Sequence, residues 1–220
     1  ATGVSPGLGD AFVIDAEKAE KLSLEQSLIK KLIIGGEINR FNLNPLQNKK
    51  IIYCTLNTKL SDFPNIESHL INYKSKLEER VETISGAIPW FVMLRPRRQK
   101  LFENPKILIR QTANRIIAAY DADKWYCLKS GLIVQLPDNS DLHYYYLLSL
   151  LNSKLFDFLY HDLVNEDNRI FPEVKPIKLF KLPIYEASKD EQKKIIAIVQ
   201  EIIDSKRNDI DTSVFESDIE

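Results

Sequence analysis

Several things are scarce in this chain, and each scarcity excludes something. There are two cysteines, Cys54 and Cys127, and they form no CxxC pair. That argues against both a disulfide framework and a structural zinc site, and leaves two buried thiols in a reducing cytoplasm as the expectation. No apolar stretch approaches the roughly 18 residues that a membrane-spanning helix needs, and no signal peptide is evident. The three histidines, His69, His143 and His161, have no ligand spacing such as HxxxH, so metal binding is not expected. No GxSxG elbow occurs. The formal net charge is −1, which argues against an indiscriminate polyanion binder. Methionine occurs once, at Met93, and the chain opens on Ala1; the expectation is a fragment of a longer protein.

What is present is a globular composition, 44% hydrophobic and 28% charged over 220 residues. That is enough for one large domain or two small lobes with a core that needs no staples. The charge is unevenly spread. Between Pro89 and Ser130 nine Lys and Arg stand against three acids, a local excess of +6, whereas Asp209 to Glu220 holds five acids and no base. Residues 1–208 are therefore read as the folded module and 209–220 as an acidic, frayed tail.

Periodicity predicts a mixed architecture. Phe12 to Ile14 reads as a short strand, and Ala16 to Ile33 as a helix stopped by Gly35 and Gly36. KIIYCT, residues 50–55, is a strand-like run, and Pro64 to Glu82 is expected to form one long amphipathic helix. Pro89 to Lys100 reads as an aromatic strand running into basic residues. Lys106 to Arg110 and Tyr126 to Leu136 are strand-like, the second broken at Ser130 and Gly131. Asp141 to Tyr160 is apolar nearly all round, the mark of a buried helix. Arg169 to Pro183 reads as an extended loop. Ser188 and Glu191 form a capping box for a helix reaching Ser205.

Three stretches invite chemistry. The opening TGVSPGLGDAFVID carries Gly3, Gly7 and Gly9 beside an apolar run. A phosphate loop needs Lys-Ser/Thr after its last glycine, and a dinucleotide fingerprint needs the strand before the glycines. Neither holds, so a tight turn is expected. Glu173-Val174-Lys175, with Asp162 upstream, has the spacing of a metal-dependent nuclease site. Such a pair belongs on a strand, however, and Pro172 and Pro176 bracket it. The basic segment is more telling. Arg95, Arg97, Arg98 and Lys100 stand beside aromatics, and Arg110, Gln111, Asn114 and Arg115 follow. Arginine, glutamine and asparagine are the side chains that bond guanine and adenine edges in pairs, and Lys and Arg neutralise phosphates.

Seven stretches then occur in a fixed order: GLGDAFVID, LIKKLIIGGEINRF, FPNIESHLINYKSKLEER, PWFVMLR, FENPKILI, YYLLSLLNSKLFDFLY and LFKLPIYEASKDEQKKIIAIVQEII. In that order the chain resembles the TaqI-like C-terminal specificity domain of N6-adenine DNA methyltransferases and of type IIG restriction-modification enzymes. Where that family usually reads GxNxAFxI, this chain has Gly9 in place of the asparagine. The last stretch is also similar to the connector of type I specificity subunits, where an amphipathic helix packs on a partner helix. The catalytic Asn/Asp-Pro-Pro-Tyr/Phe motif is absent; Asn44-Pro45 and Asn104-Pro105 lack the second proline.

The resemblance implies a mixed α/β (α+β), two-lobed target recognition domain with long packing helices. It implies double-stranded DNA as partner, together with an N-terminal methyltransferase domain in the same chain, no membrane, and a bacterial cytoplasmic setting. This chain itself would bind no cofactor; S-adenosylmethionine would belong to the catalytic domain. Candidate DNA contacts are Arg95, Arg97, Arg98, Lys100, Arg110 and Arg115 for phosphates or guanines, Gln111 and Asn114 for adenines, and Asn168 and Arg169 more remotely. The opening glycines would let backbone approach DNA or the neighbouring domain. A nuclease built on Asp162, Glu173 and Lys175, and a scaffold binding partner helices, are the alternatives.

Overall fold

The computed structural model describes residues 1–164 and 173–217. Helix α1 (Gly9–Phe12) leads directly into strand β1 (Val13–Asp15), and α2 (Ala16–Lys21) follows. Next come β2 (Ile29–Ile33), the small hairpin of β3 (Ile38–Asn39) and β4 (Asn42–Leu43), and β5 (Lys49–Ile52). Helices α3 (Pro64–Ile71), α4 (Lys74–Glu78), α5 (Val81–Ile84) and α6 (Lys100–Glu103) occupy the middle of the chain. Strands β6 (Lys106–Arg110), β7 (Ala118–Asp121), β8 (Tyr126–Cys127) and β9 (Gly131–Val134) precede helices α7 (Tyr144–Asn152) and α8 (Lys154–Val164). The C-terminal part holds α9 (Pro176–Leu179), α10 (Lys189–Arg207) and α11 (Ser213–Ser217).

One sheet has the order β1-β5-β2-β8, with β2 and β8 parallel; the other has the order β7-β6-β9, all antiparallel. The second sheet separates two cores. In a strand, successive side chains point to opposite faces. Leu108, with its cross-strand partners Ala119 and Ile133, joins the first core, beneath β1, β2 and β5. Ile107 and Ile109, with Ala118 and Leu132, join the second core, against α7, α8 and α10. A strand buried on both faces favours apolar residues on both, which is why Ile107–Ile109 and Leu132–Val134 carry no alternation. The two lobes expected from sequence correspond to these two cores around a shared wall.

Six stretches differ from the sequence expectation. In the described part of Arg169 to Pro183, read as an extended loop, Pro176–Leu179 turn into α9, with proline in the first helical turn where its missing N–H costs nothing. The helix begun at Ala16 stops at Lys21, because Ser23 adopts a left-handed φ of 51°. Leu28, Ile29 and Leu32 have a helical spacing, but 29–33 is a central strand paired with β5 and β8. The helix expected over Pro64 to Glu82 is three short ones. The Asn72 amide bonds the Ser68 and His69 carbonyls that a continuing helix would use, and Arg80 turns extended. Pro89 to Lys100 forms no strand; Arg95 makes one isolated bridge, to Ser5, and Arg97 has a φ of 62°. The buried helix over 141–160 is two, α7 and α8. Ser153 between them is extended, accepts a bond from Phe156 N–H and donates one to Leu150 O.

Other expectations coincide with the structure. The strand over 106–110 is β6, the 126–136 run breaks at Ser130, and the Ser188–Glu191 capping box is formed in both directions. The acidic end, by contrast, is not frayed over its described residues: α11 docks on the body. Glu216 pairs with Arg40 at 3.3 Å and with Lys206 at 2.8 Å, and Thr212 beside it is buried.

Candidate nucleic-acid interface

The opening glycines serve the fold. Thr2 bridges Leu132 and Val4 bridges Leu128, so the first residues lie along the β8–β9 turn. A Cβ on Gly3 would stand 2.2 Å from the carbonyl oxygens of both Cys127 and Leu128. The close approach expected of these glycines is thus made to the chain's own backbone. Gly7 has a φ of 83°, a conformation suited to glycine, whereas a Cβ on Gly9 would meet nothing within 4 Å.

The structure divides the basic segment by role. Lys106 is fully buried, ion-paired to Asp121 and bonded to Phe102 O. Arg97 donates from its guanidinium to Thr2 Oγ1 at 2.6 Å and to Gly3 O at 3.4 Å, while its carbonyl accepts from Tyr53 Oη at 2.8 Å. Its work is to clamp the opening segment. Burial pushes the Tyr53 phenol up to about 12, so it stays a donor. Arg97 is nonetheless exposed, as are Arg95, Arg98, Lys100, Lys124 and Lys129. Arg110 is half-buried at the end of β6, and its Nη2 would lie 3.9 Å from a Cβ on Gly36.

The β6–β7 loop is held tightly. Arg110 N–H donates to Ile117 O at 3.0 Å and Gln111 N–H to Ser130 O at 2.9 Å, and Gln111 O accepts from Val174 N–H at 2.7 Å. Thr112 bridges Glu173, and Ile116 is buried in the second core. Asn114 is exposed at the tip. Arg115 Nε lies 3.6 Å from Asp157 Oδ2 on α8. The structure therefore brings Arg110, Gln111, Asn114 and Arg115 together on one braced loop. Arg95, Arg98 and Lys100 lie exposed on a separate segment, which Arg95 ties to the opening residues through its bridge to Ser5. Asn168 and Arg169 lie outside the described residues. Sequence reasoning passed over Asp157. The pairing of Asp157 with Arg115 spans helix and loop and leaves no mark in local sequence.

Other chemistry finds little support in the geometry. Burial pushes both the Cys54 and Cys127 thiols up to about 12, so neither is a thiolate nucleophile. His69 Nε2 lies 3.0 Å from Ala11 O. Glu173 is exposed in its bridge to Thr112, Lys175 N–H donates to Tyr160 Oη, and Asp162 is exposed on α8. Among the described residues, no group of three or more His, Cys, Asp or Glu is placed to hold a metal ion. Asn152 and Ser153, from the LLNSKL stretch, act in packing: the Asn152 amide bonds both the N–H and the C=O of Ala118 at 3.0 Å.

The model of the TaqI-like C-terminal specificity domain family matches residues 30–184, a span that includes the β6–β7 loop. Among solved structures, the fold is similar to that of the type IIL restriction-modification enzyme MmeI, determined in complex with DNA. The TM-score is 0.70 at 12% sequence identity, over 94% of this chain and 27% of that one. At that identity the likeness is one of fold, and the chain spans about a quarter of that enzyme's length.

Proposed function

Because the chain belongs to the family of TaqI-like C-terminal specificity domains, we propose that it selects a short sequence of double-stranded DNA by readout, with no bond made or broken within it. The observation that carries this reading is the braced β6–β7 loop inside the matched span. It presents Arg110, Gln111, Asn114 and Arg115 from backbone tied down on both sides. A loop ordered before binding loses little entropy when DNA docks. Gln111 and Asn114 would take adenine edges, and Arg110 and Arg115 phosphates or guanine edges. The exposed Arg95, Arg98 and Lys100 would neutralise phosphates, with Asn168 and Arg169 as further contacts. Arg97 supports this surface by holding residues 2–3 in place.

In this reading the module works beside a methyltransferase domain of the same polypeptide in a bacterial cytoplasm. S-adenosylmethionine belongs to that domain. MmeI, whose fold this chain shares, was solved bound to DNA, and that supports duplex DNA as the partner.

Salt titration tests the reading. If three or more phosphates are neutralised, log K against log salt has a slope of about −3 or steeper, at roughly −0.9 per contact. Substituting Arg98 and Lys100 by Gln should make that slope shallower by about 2 without changing sequence preference. An affinity for duplex DNA that ignores salt and sequence would overturn the proposal.

A further inference from the structure

Arg115 differs from the other cations of the loop in having an acid behind it. Its Nε is 3.6 Å from Asp157 Oδ2, and the two side chains are 33% and 24% exposed. That is an ion-pair distance, outside hydrogen-bond range. Arg115 Nε and Asp157 Oδ1 are both buried without a hydrogen-bond partner, and His161 Nε2 stands 3.7 Å from the same Oδ1. The pair is close and oriented but not closed.

A guanidinium has two donor edges, one made by Nε with one Nη and the other by both Nη groups. Asp157 stands at Nε. The outer Nη edge therefore remains for a ligand, and its fork matches the O6 and N7 acceptors of guanine. The carboxylate also discriminates between ligands. A phosphate brought to Arg115 would be repelled by the neighbouring Asp157 charge, whereas a neutral base edge would not.

We propose that Arg115 reads a guanine and that Asp157 is the positioning residue that presents its outer fork. This rests on the DNA-recognition reading above and deepens it: Arg115 becomes a base contact with a defined identity, dependent on a residue of α8.

Selection of duplexes from a random pool by the full chain, followed by affinities for single-base variants of the selected site, tests this. The expected result is a G·C requirement at one position that weakens about tenfold or more in both Arg115→Lys and Asp157→Asn, with the other positions unchanged. Asp157→Glu should restore part of it. Affinity for unrelated duplex should stay the same or rise in Asp157→Asn, since a negative charge has left the surface. Uniform loss of affinity across all sequences in Arg115→Lys would mark a phosphate contact and overturn the proposal. So would Asp157→Asn leaving every preference intact. Should Asp157→Asn melt early, Arg115→Lys and Asp157→Glu decide, the first relaxing one position and the second keeping part of the preference there. A chain that selects no sequence at all would instead sink the DNA-recognition reading.

Discussion

Lys106 and Asp121 are cross-strand partners on β6 and β7, and both side chains are fully buried. Asp121 also accepts the Asp123 N–H at 2.7 Å and the Trp125 N–H at 3.0 Å. Burial raises its carboxyl above the ordinary value, although Lys106 pulls the other way. Breaking such a pair from one side leaves an uncompensated charge. Lys106→Met should therefore cost about 3–5 kcal/mol, read from the urea midpoint. Adding Asp121→Leu should recover only part of that, because the Asp123 and Trp125 N–H groups then lose their acceptor. At this scale the sequence was misleading in one respect. Lys106 contributed to the +6 count of the basic segment, yet its charge is spent inside the wall between the two cores. Residue type shows charge; it does not show which acid, fifteen positions away, will face it.

The elements were legible where a local device defines them. The Ser188–Glu191 box is such a device. Ser188 N–H donates to Glu191 Oε2 at 2.8 Å and Ser188 Oγ accepts from Glu191 N–H at 3.4 Å, so α10 begins where the sequence says it should. Ser188→Ala should cost about 1 kcal/mol, measured as a shift in the denaturant midpoint with an unchanged slope. Elements were misread where a distant partner overrides periodicity. Leu28, Ile29 and Leu32 satisfy a helical spacing, but β5 and β8 flank them and take their backbone groups. Asn72 and Arg80 interrupt a plausible helix over 64–82. The first satisfies the carbonyls at the end of α3, and the second sends its guanidinium to Leu77, Trp90 and Val92 carbonyls. A hydrophobic pattern shows which residues are buried. It does not show whether the backbone between them bonds to itself or to a neighbour.

On the scale of the whole molecule, the two cores share one sheet, and the candidate interface lies at the β6–β7 loop end of that sheet. Stability of the cores thus sets the geometry of the loop. Burial lowers the His69 pKa below its usual value, and His143 shifts the same way. The unfolded chain then takes up protons first. The stability contribution is intact above about pH 6.5 and falls as pH drops below it toward the folded-state value. Melting at pH 5.5 should come at a lower temperature than at pH 7.5, and His69→Asn should flatten part of that difference. A melting temperature that is equal at the two pH values, or a slope that His69→Asn leaves unchanged, would contradict this.

By itself the sequence determined that the chain is globular and of mixed α and β structure. It also determined that its base-reading side-chain types concentrate between residues 95 and 115. Those properties follow from composition, local spacing and caps, which act over a few residues. Only the tertiary structure decided which of those cations are spent on the fold. Arg97 is bound to Thr2 and Gly3, and Lys106 to Asp121, while Arg110, Gln111, Asn114 and Arg115 are gathered on a loop tied to Ser130 and Val174. Each of those ties joins residues remote in sequence. Their energies depend on distance and burial, quantities that exist only once the chain has closed on itself.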